Sequence, residues 1–398
     1  MSWIETLRHV EPLEDLRFDR GLVDALEQQA RERPLGPMRF FTPTFRAYAS
    51  DDLAGCGKVS YPAFSITGAA CALNCDHCQA KILGPMIPAT SPAELDRKVR
   101  DLMLLKDLRG FLLSGGSNRR NEVPYDRYYP VIEKLKRDFP QLRIGVHSAL
   151  LDQQRAKRME AAGIDVAMMD VIGAQATIHE VYHLDRPVAD FEATLAALTA
   201  TSMEVVPHVV IGLHYGRLLG EDAALEIISR YPVDALILVV VVPIYASPQR
   251  PFATVPVEDV ARVLVAARRR IAGVPVQLGC VRPAGEHKLM TDAYAVMAGL
   301  DGIAYPAAGI VALARAIGRP IEQEHACCAV ALEGLGAGGP ARREGPPWTS
   351  QNRMLWWSAS GPLAPAPLRL LPRRDSMCSP STDGVDPVFR CNVRNSCR

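Results

Sequence analysis

EVVPHVVIGLHYGRLLGEDAALEIISRYPVDALILVVVVP, residues 204–243, decides the fold. It opens on an apolar run rich in β-branched residues, EVVPHVVIG (204–212). A glycine turn follows, then the helical pattern GEDAALEIISRY (220–231), then a second apolar run, DALILVVVVP (234–243). Short apolar runs bounded by turns read as strands covered on both faces. A helix between two such strands leaves them parallel, because the chain must cross back before the second begins.

The rhythm extends in both directions. Strands are also expected at VSYPAFSI (59–66), GFLLSG (110–115), RIGVHS (143–148), DVAMMDVI (165–172), VPVQLGC (274–280) and DGIAYP (301–306). Helical patterns such as SPAELDRKVRDLMLLKDL, PYDRYYPVIEKLKRDF, LDQQRAKRMEAAG, VADFEATLAALTAT and VEDVARVLVAARRRIAG lie between them. Eight even units predict an α/β fold, a closed (β/α)8 barrel of roughly 250 residues. An open doubly wound sheet is the alternative. The barrel is assigned to residues 58–334. Residues 1–57 read as a helical and loop-rich lead-in, with one amphipathic helix in DLRFDRGLVDALEQQARER. Residues 335–398 are rich in Pro, Gly and Arg without periodicity, with nine Arg against four acidic residues, and are expected to be a disordered tail.

Composition narrows the function. The chain is 398 residues long with a net charge of +1 and 6% aromatic residues. No global field and no stacking platform point to nucleic acid. No apolar run reaches the roughly 18–20 residues of a membrane span. The charged N-terminus lacks the apolar core of a secretory signal, so a cytoplasmic protein is expected, partnered by neither membrane nor nucleic acid. In that compartment ten cysteines point to metal, catalysis or burial rather than disulfides.

Three of them, Cys71, Cys75 and Cys78, stand in GAACALNCDHCQAKIL (68–83), directly after the first expected strand. Active sites of β/α barrels lie at that C-terminal face. A structural zinc site wants four ligands, usually as two pairs, and no second pair follows at that spacing. Three thiolates instead suit three irons of a [4Fe–4S] cube, leaving the fourth iron open. A buried or zinc-binding cysteine cluster is the plainer reading.

Cys-x3-Cys-x2-Cys in this place is identified as the signature of the radical SAM superfamily. The resemblance implies that the open iron chelates S-adenosylmethionine (SAM), whose reductive cleavage gives a 5′-deoxyadenosyl radical. His77 stands where the family usually has an aromatic residue, and a planar imidazole serves to line the adenine side. Ser114-Gly115-Gly116 resembles the Gly-Gly-Glu-like motif that receives the methionine amino group, with Ser117 where an acid is common; a plain tight turn is the alternative. Asp170 matches a ribose-binding position, or else caps its strand. Gly212 falls in a glycine motif that packs against adenine, and Val242 and Pro243 fall where backbone meets adenine. Arg282 is either a clamp for a SAM or substrate carboxylate or a structural ion pair.

A narrower resemblance rests on YPAFSITGAACALNCDHC (61–78), HEVYHLDRPVADF (179–191), PHVVIGLHYG (207–216), QLGCVRPAGEHK (277–288) and DGIAYP (301–306). Together they are similar to the biotin-synthase-related branch that forms one component of the two-protein lipoyl synthase. This implies sulfur insertion at C6 or C8 of an octanoyl chain carried by a lipoyl domain or an H-type protein. It also implies a second radical SAM component and an electron donor such as a ferredoxin or flavodoxin. Sulfur insertion needs a sulfur source, and Cys56, Cys280, Cys327 and Cys328 are the candidates for an auxiliary iron–sulfur cluster, with Arg282 or His287 replacing one of them. Buried, unligated cysteine is the alternative. His147, His208 and His214 sit at strand ends and either touch substrate or serve structure, and Glu180–His183 has the spacing of a helix-surface pair. Two other functions stay open: a biotin-synthase-like enzyme of different chemistry (methylation, rearrangement or C–C cleavage), and a non-catalytic iron–sulfur or zinc protein.

Overall fold

The computed structural model describes residues 1–43, 52–53, 60–104 and 108–330. Its strands are β1 (Met38–Phe41), β2 (Ala63–Ser65), β3 (Ile87–Pro88), β4 (Gly110–Ser114), β5 (Arg143–His147), β6 (Val166–Asp170), β7 (Glu204–Ile211), β8 (Leu236–Val240), β9 (Val276–Leu278), β10 (Gly302–Ala304) and β11 (Ile321–Glu324). They form one sheet in the order β11-β1-β10-β9-β8-β7-β6-β5-β4-β2-β3, and every neighbouring pair is parallel. All eight expected strands are present and stand in chain order from β2 to β10.

The sheet is curled into a half-barrel, a TIM-barrel-like α/β form whose edge strands are β11 and β3, and no pairing among the described residues closes it into the eight-strand ring expected. Phe41, Tyr61, Val166, Val206, Ile237 and Tyr305 come from separate places along the sheet, yet they make one inner cluster. A flat sheet would hold these side chains apart. The alternate residues, including Phe64, Phe111, Ile144, Met169, Val205, Val209 and Leu238, face outward into a second, larger core. Both faces are therefore covered, which is what the unbroken apolar runs require.

The covering helices are α1 (Trp3–Leu7), α2 (Arg20–Glu32), α3 (Pro92–Leu104), α4 (Tyr129–Asp138), α5 (Gln153–Ala161), α6 (Gln175–Glu180), α7 (Val188–Thr199), α8 (Glu221–Ile228), α9 (Val257–Arg270), α10 (Glu286–Met297) and α11 (Ile310–Ala316). Local signals set their ends. In α2 the Asp19 carboxylate accepts from the Leu22 N–H, and the Asp19 N–H donates to the Tyr294 hydroxyl of α10 at 3.0 Å. In α9 acids open the first turn and Arg268–Arg270 close the last, as the helix dipole favours. Arg268 also pairs with Asp301 and donates to the carbonyls of Ile271 and Val274.

Three strands go beyond the eight expected: β1, β3 and β11. β1 lies within the lead-in, so that segment supplies sheet as well as helix. It pairs with both β10 and β11. After β11 the chain turns into the barrel interior. The Ser60 hydroxyl donates to the His325 carbonyl at 2.6 Å, and Ala326, Cys328, Ala329 and Val330 are buried. A Cβ on Gly145 would fall 2.7 Å from Met168, 2.9 Å from Tyr61 and 3.6 Å from Val330, so the centre is filled at that level. Cys56 and residues 335–398, with Cys378, Cys391 and Cys397, lie outside the described residues. No described helix is long and apolar enough to cross a membrane.

Candidate active site

The cysteine loop begins where β2 ends. Four of its residues, Gly68, Asn74, Gln79 and Ala80, have positive φ, so the backbone coils back on itself. The Gln79 side-chain amide donates to the carbonyls of Asn74 and Cys75 at 3.3 and 3.0 Å and holds the second coil. The loop is built against the glycines that follow β4. A Cβ on Gly116 would sit 2.0 Å from the Ala70 carbonyl oxygen and 2.6 Å from the Cys71 Cα. The Gly116 N–H donates to the Thr67 hydroxyl at 2.7 Å, and the Ala72 N–H donates to the Ser117 carbonyl at 2.9 Å. The two motifs are therefore one packed unit.

Cys75 is buried, while Cys71 and Cys78 are half-buried. All three face a cavity of about 310 Å³, within the usual range for small-molecule sites. A hydrogen bond with Cys75 pulls the Cys78 thiol below the ordinary range, against burial and helped by His77. The same bond, with burial, pushes Cys75 up.

Between them, Asp76 points away from the cavity and ties the loop to three others. Its carboxylate contacts His183 Nε2 at 3.0 Å, the Arg250 guanidinium at 3.2 Å and the Tyr215 hydroxyl at 3.3 Å. Its N–H donates to the Val181 carbonyl, and its own carbonyl accepts from the Ser247 N–H. Glu180 and His183 are thus no helix-surface pair. α6 ends at Glu180, His183 has a φ of 55° beyond it, and its ring goes to Asp76.

The strand ends complete the wall. Ser114, Gly115 and Gly116 after β4, His147 of β5, Asp170 of β6, His208 of β7 and Val242 after β8 all line the cavity, as does His77. His208 Nδ1 donates to the Val206 carbonyl at 3.1 Å, which leaves Nε2 as an acceptor. Burial, with His147 beside it, lowers the His208 pKa to about 4. The two imidazoles meet edge to face at 5.3 Å, and His147 Nε2 lies 3.8 Å from the Asp170 carboxylate. Cys280, after β9, and Cys327 and Cys328 also face this cavity, so six thiols surround it. Among the described residues, no three His, Cys, Asp or Glu side chains gather tightly enough for a single metal ion. The donors stand as two thiol groups, and a thiol-only set suits iron–sulfur chemistry.

Five sequence candidates lie elsewhere. Arg282 is buried, with Nε and one Nη on the Asp292 carboxylate at 2.6 and 2.9 Å and further donation to the carbonyls of Gly279, Ala304 and Tyr305. It pins the ends of β9 and β10 and has no fork left for a ligand carboxylate. Gly212 is outside the lining: its N–H goes to Glu221, and a Cβ there would meet Val255 at 2.1 Å. Pro243 opens a short 3-10 turn behind Val242, also outside the lining. His287 is engaged by the Val255 carbonyl and the Thr291 hydroxyl. His214 likewise packs away from the cavity, against Thr177. Sequence reasoning passed over Asp76 and Tyr182, although both lie inside motifs it singled out.

No family model and no curated protein matches the chain. Solved structures do. HydG, a maturase of the [FeFe]-hydrogenase, aligns with a TM-score of 0.50 at 13% identity, over 76% of this chain and 67% of that one. Methylornithine synthase (PylB) gives 0.47 at 11% identity, over 76% and 81%. TsrM from Kitasatospora setae, a radical S-adenosylmethionine methyltransferase with cobalamin and a 4Fe–4S cluster bound, gives 0.34 at 12% identity, over 46% and 37%. The HydG alignment establishes a shared fold. At such identities function rests on the site, since one fold hosts many chemistries.

Proposed function

We propose that the chain is a radical SAM enzyme that inserts sulfur into a protein-bound octanoyl chain, as one component of a two-protein lipoyl synthase. The observation that carries this reading is the pair of thiol groups, Cys71/Cys75/Cys78 and Cys280/Cys327/Cys328, facing one cavity. The first would hold a 4Fe–4S cluster with its open iron toward SAM. The second, with Cys56 as a further candidate, would hold an auxiliary cluster as the sulfur source. When bound, the first cluster supplies the electron for reductive cleavage of SAM. The protein's own part is placement: His77 and Asp170 flank the nucleoside, and Leu112, Met168, Ile237 and Val239 offer an apolar wall that suits a saturated acyl chain and excludes water. The radical SAM assignment is supported by the cysteine spacing at a barrel mouth and by the HydG-like fold. The substrate, the carrier protein, the second component and the electron donor follow from the motif resemblance.

The test is anaerobic reconstitution, then incubation with SAM, reductant and an octanoylated carrier peptide. The expected result is 5′-deoxyadenosine together with a peptide heavier by one sulfur atom. An unchanged peptide beside active SAM cleavage overturns the lipoyl assignment. Absence of 5′-deoxyadenosine overturns the enzyme class.

A further inference from the structure

The large apolar side chains exposed among the described residues are Met1, Ile82, Leu104, Leu218, Leu219 and Ile244. Met1 and Leu104 lie at the edges of described segments. The other four stand on three loops that follow β2, β7 and β8, at the end of the sheet that carries the cavity. Ile82 itself lines the cavity, with Met86 and Tyr245. Ile244, next to Tyr245, is 79% exposed. Its carbonyl accepts from Lys81 Nζ at 3.1 Å, which joins the cysteine loop to the turn Pro243–Tyr245. Beyond that turn the Ser247 N–H donates to the Asp76 carbonyl at 2.8 Å. The β7 loop is braced on the same framework, its Tyr215 hydroxyl 3.5 Å from the Arg250 guanidinium. An apolar side chain held out from a braced rim beside a cavity has the form of an interface anchor.

These loops also carry one sign of charge outward. Residues 66–86, 212–220 and 241–256 hold the cations Lys81, Arg217 and Arg250 and a single acid, Asp76, which is buried. Arg250 turns to Asp76, whereas Lys81 and Arg217 are exposed and pair with no acid among the described residues. The flanking loops after β4 and β6 carry both signs, with Glu122, Glu180 and Asp185 among them. A rim that is apolar and basic fits an acidic partner. A second copy presenting this face would set like charge against like, and residues 335–398 are basic as well.

We propose that the rim formed by Lys81, Ile244 and residues 217–219 is the docking surface for the protein that carries the acyl substrate, and that this carrier presents an acidic surface around its acylated lysine. This rests on the reading of the cavity as the site of a protein-bound acyl chain, and adds the face that recognises the protein. Ile244 packs against the carrier beside the point where the acyl arm enters, and Lys81 and Arg217 pair with its carboxylates.

The experiment compares two substrates on the reconstituted full chain: an octanoylated H-type carrier protein and a short peptide bearing the same octanoyl-lysine. The variants are Ile244→Glu and Arg217→Glu, both outside the cavity lining. Binding, turnover and mass by light scattering are measured. The expected result for Ile244→Glu is carrier binding weaker by roughly ten- to hundredfold, with peptide KM, iron content and unfolding midpoint as in wild type. Arg217→Glu should weaken carrier binding less and flatten its dependence on salt. Carrier binding equal to wild type in Ile244→Glu overturns the docking surface, as does an equal loss for peptide and carrier, or a wild-type KM no lower for the carrier than for the peptide. An unchanged salt dependence in Arg217→Glu overturns the acidic partner. A dimeric wild type that Ile244→Glu makes monomeric gives the face to a second copy and also overturns the proposal. A wild type that cleaves SAM yet converts neither substrate overturns the acyl-chain reading, and the docking surface with it.

Discussion

Arg282 takes its role from a partner ten residues on. Its guanidinium and the Asp292 carboxylate are both almost fully buried, and each satisfies the other. Removing the arginine takes the bidentate partner from a buried carboxylate and leaves it Lys288 at 3.3 Å and the Ala307 N–H at 2.8 Å. Arg282→Ala should therefore lower stability by about 3–5 kcal/mol, read by denaturant unfolding. Arg282→Lys should recover only part, since an ammonium cannot span both carboxylate oxygens and three carbonyls. Spacing alone could not show this, because nothing in QLGCVRPAGEHK says which acid of the next helix faces the arginine. His208 makes a pH prediction. Its folded pKa of about 4 lies below the ordinary 6.5, so between these values the unfolded chain binds a proton that the folded chain refuses. Its contribution is complete above pH 6.5 and is lost as pH falls toward 4. His208→Asn should flatten the loss of thermal stability across that interval; an unchanged slope would assign it to other groups.

At the scale of elements, the cysteine loop is held by neighbours distant in sequence. Gly116→Ala places a methyl group into the Ala70 carbonyl, which is backbone and cannot swing aside. It should lower stability by about 1–3 kcal/mol and abolish iron retention, measured by unfolding and by iron content after reconstitution. Asp76→Ala should leave the fold intact and speed iron loss to a chelator, because three anchoring loops are released while the thiols remain. The eight central strands were legible because each is a continuous apolar run, a pattern that burial on both faces demands. β3 has two residues and β11 has a mixed pattern, IEQE, so neither carries such a signal. β1, MRFF, is short and sits in a segment dominated by a helix. The three-cysteine loop was legible because its ligands are local. The Asp76 contacts were not, since His183 and Arg250 lie 107 and 174 residues away.

At the scale of the whole molecule, one cavity gathers residues from nearly every strand end, and the thiols of Cys280, Cys327 and Cys328 approach it from the last third of the chain. On the two-cluster reading, Cys280→Ala should lower the iron of the reconstituted protein from about eight to about four per chain. It should leave SAM cleavage measurable while sulfur insertion fails. Full iron content in that variant would show that Cys280 binds none.

The segment after β11, threaded into the barrel centre, also sets an order of assembly. Cys71–Cys78 leave the ribosome about 250 residues ahead of Cys327 and Cys328. The first thiol group and its glycine cradle can therefore fold while the interior still lacks its stopper. The second is complete only when the described chain is almost finished, and a message truncated before Ala326 would yield a barrel with its mouth built and its floor missing.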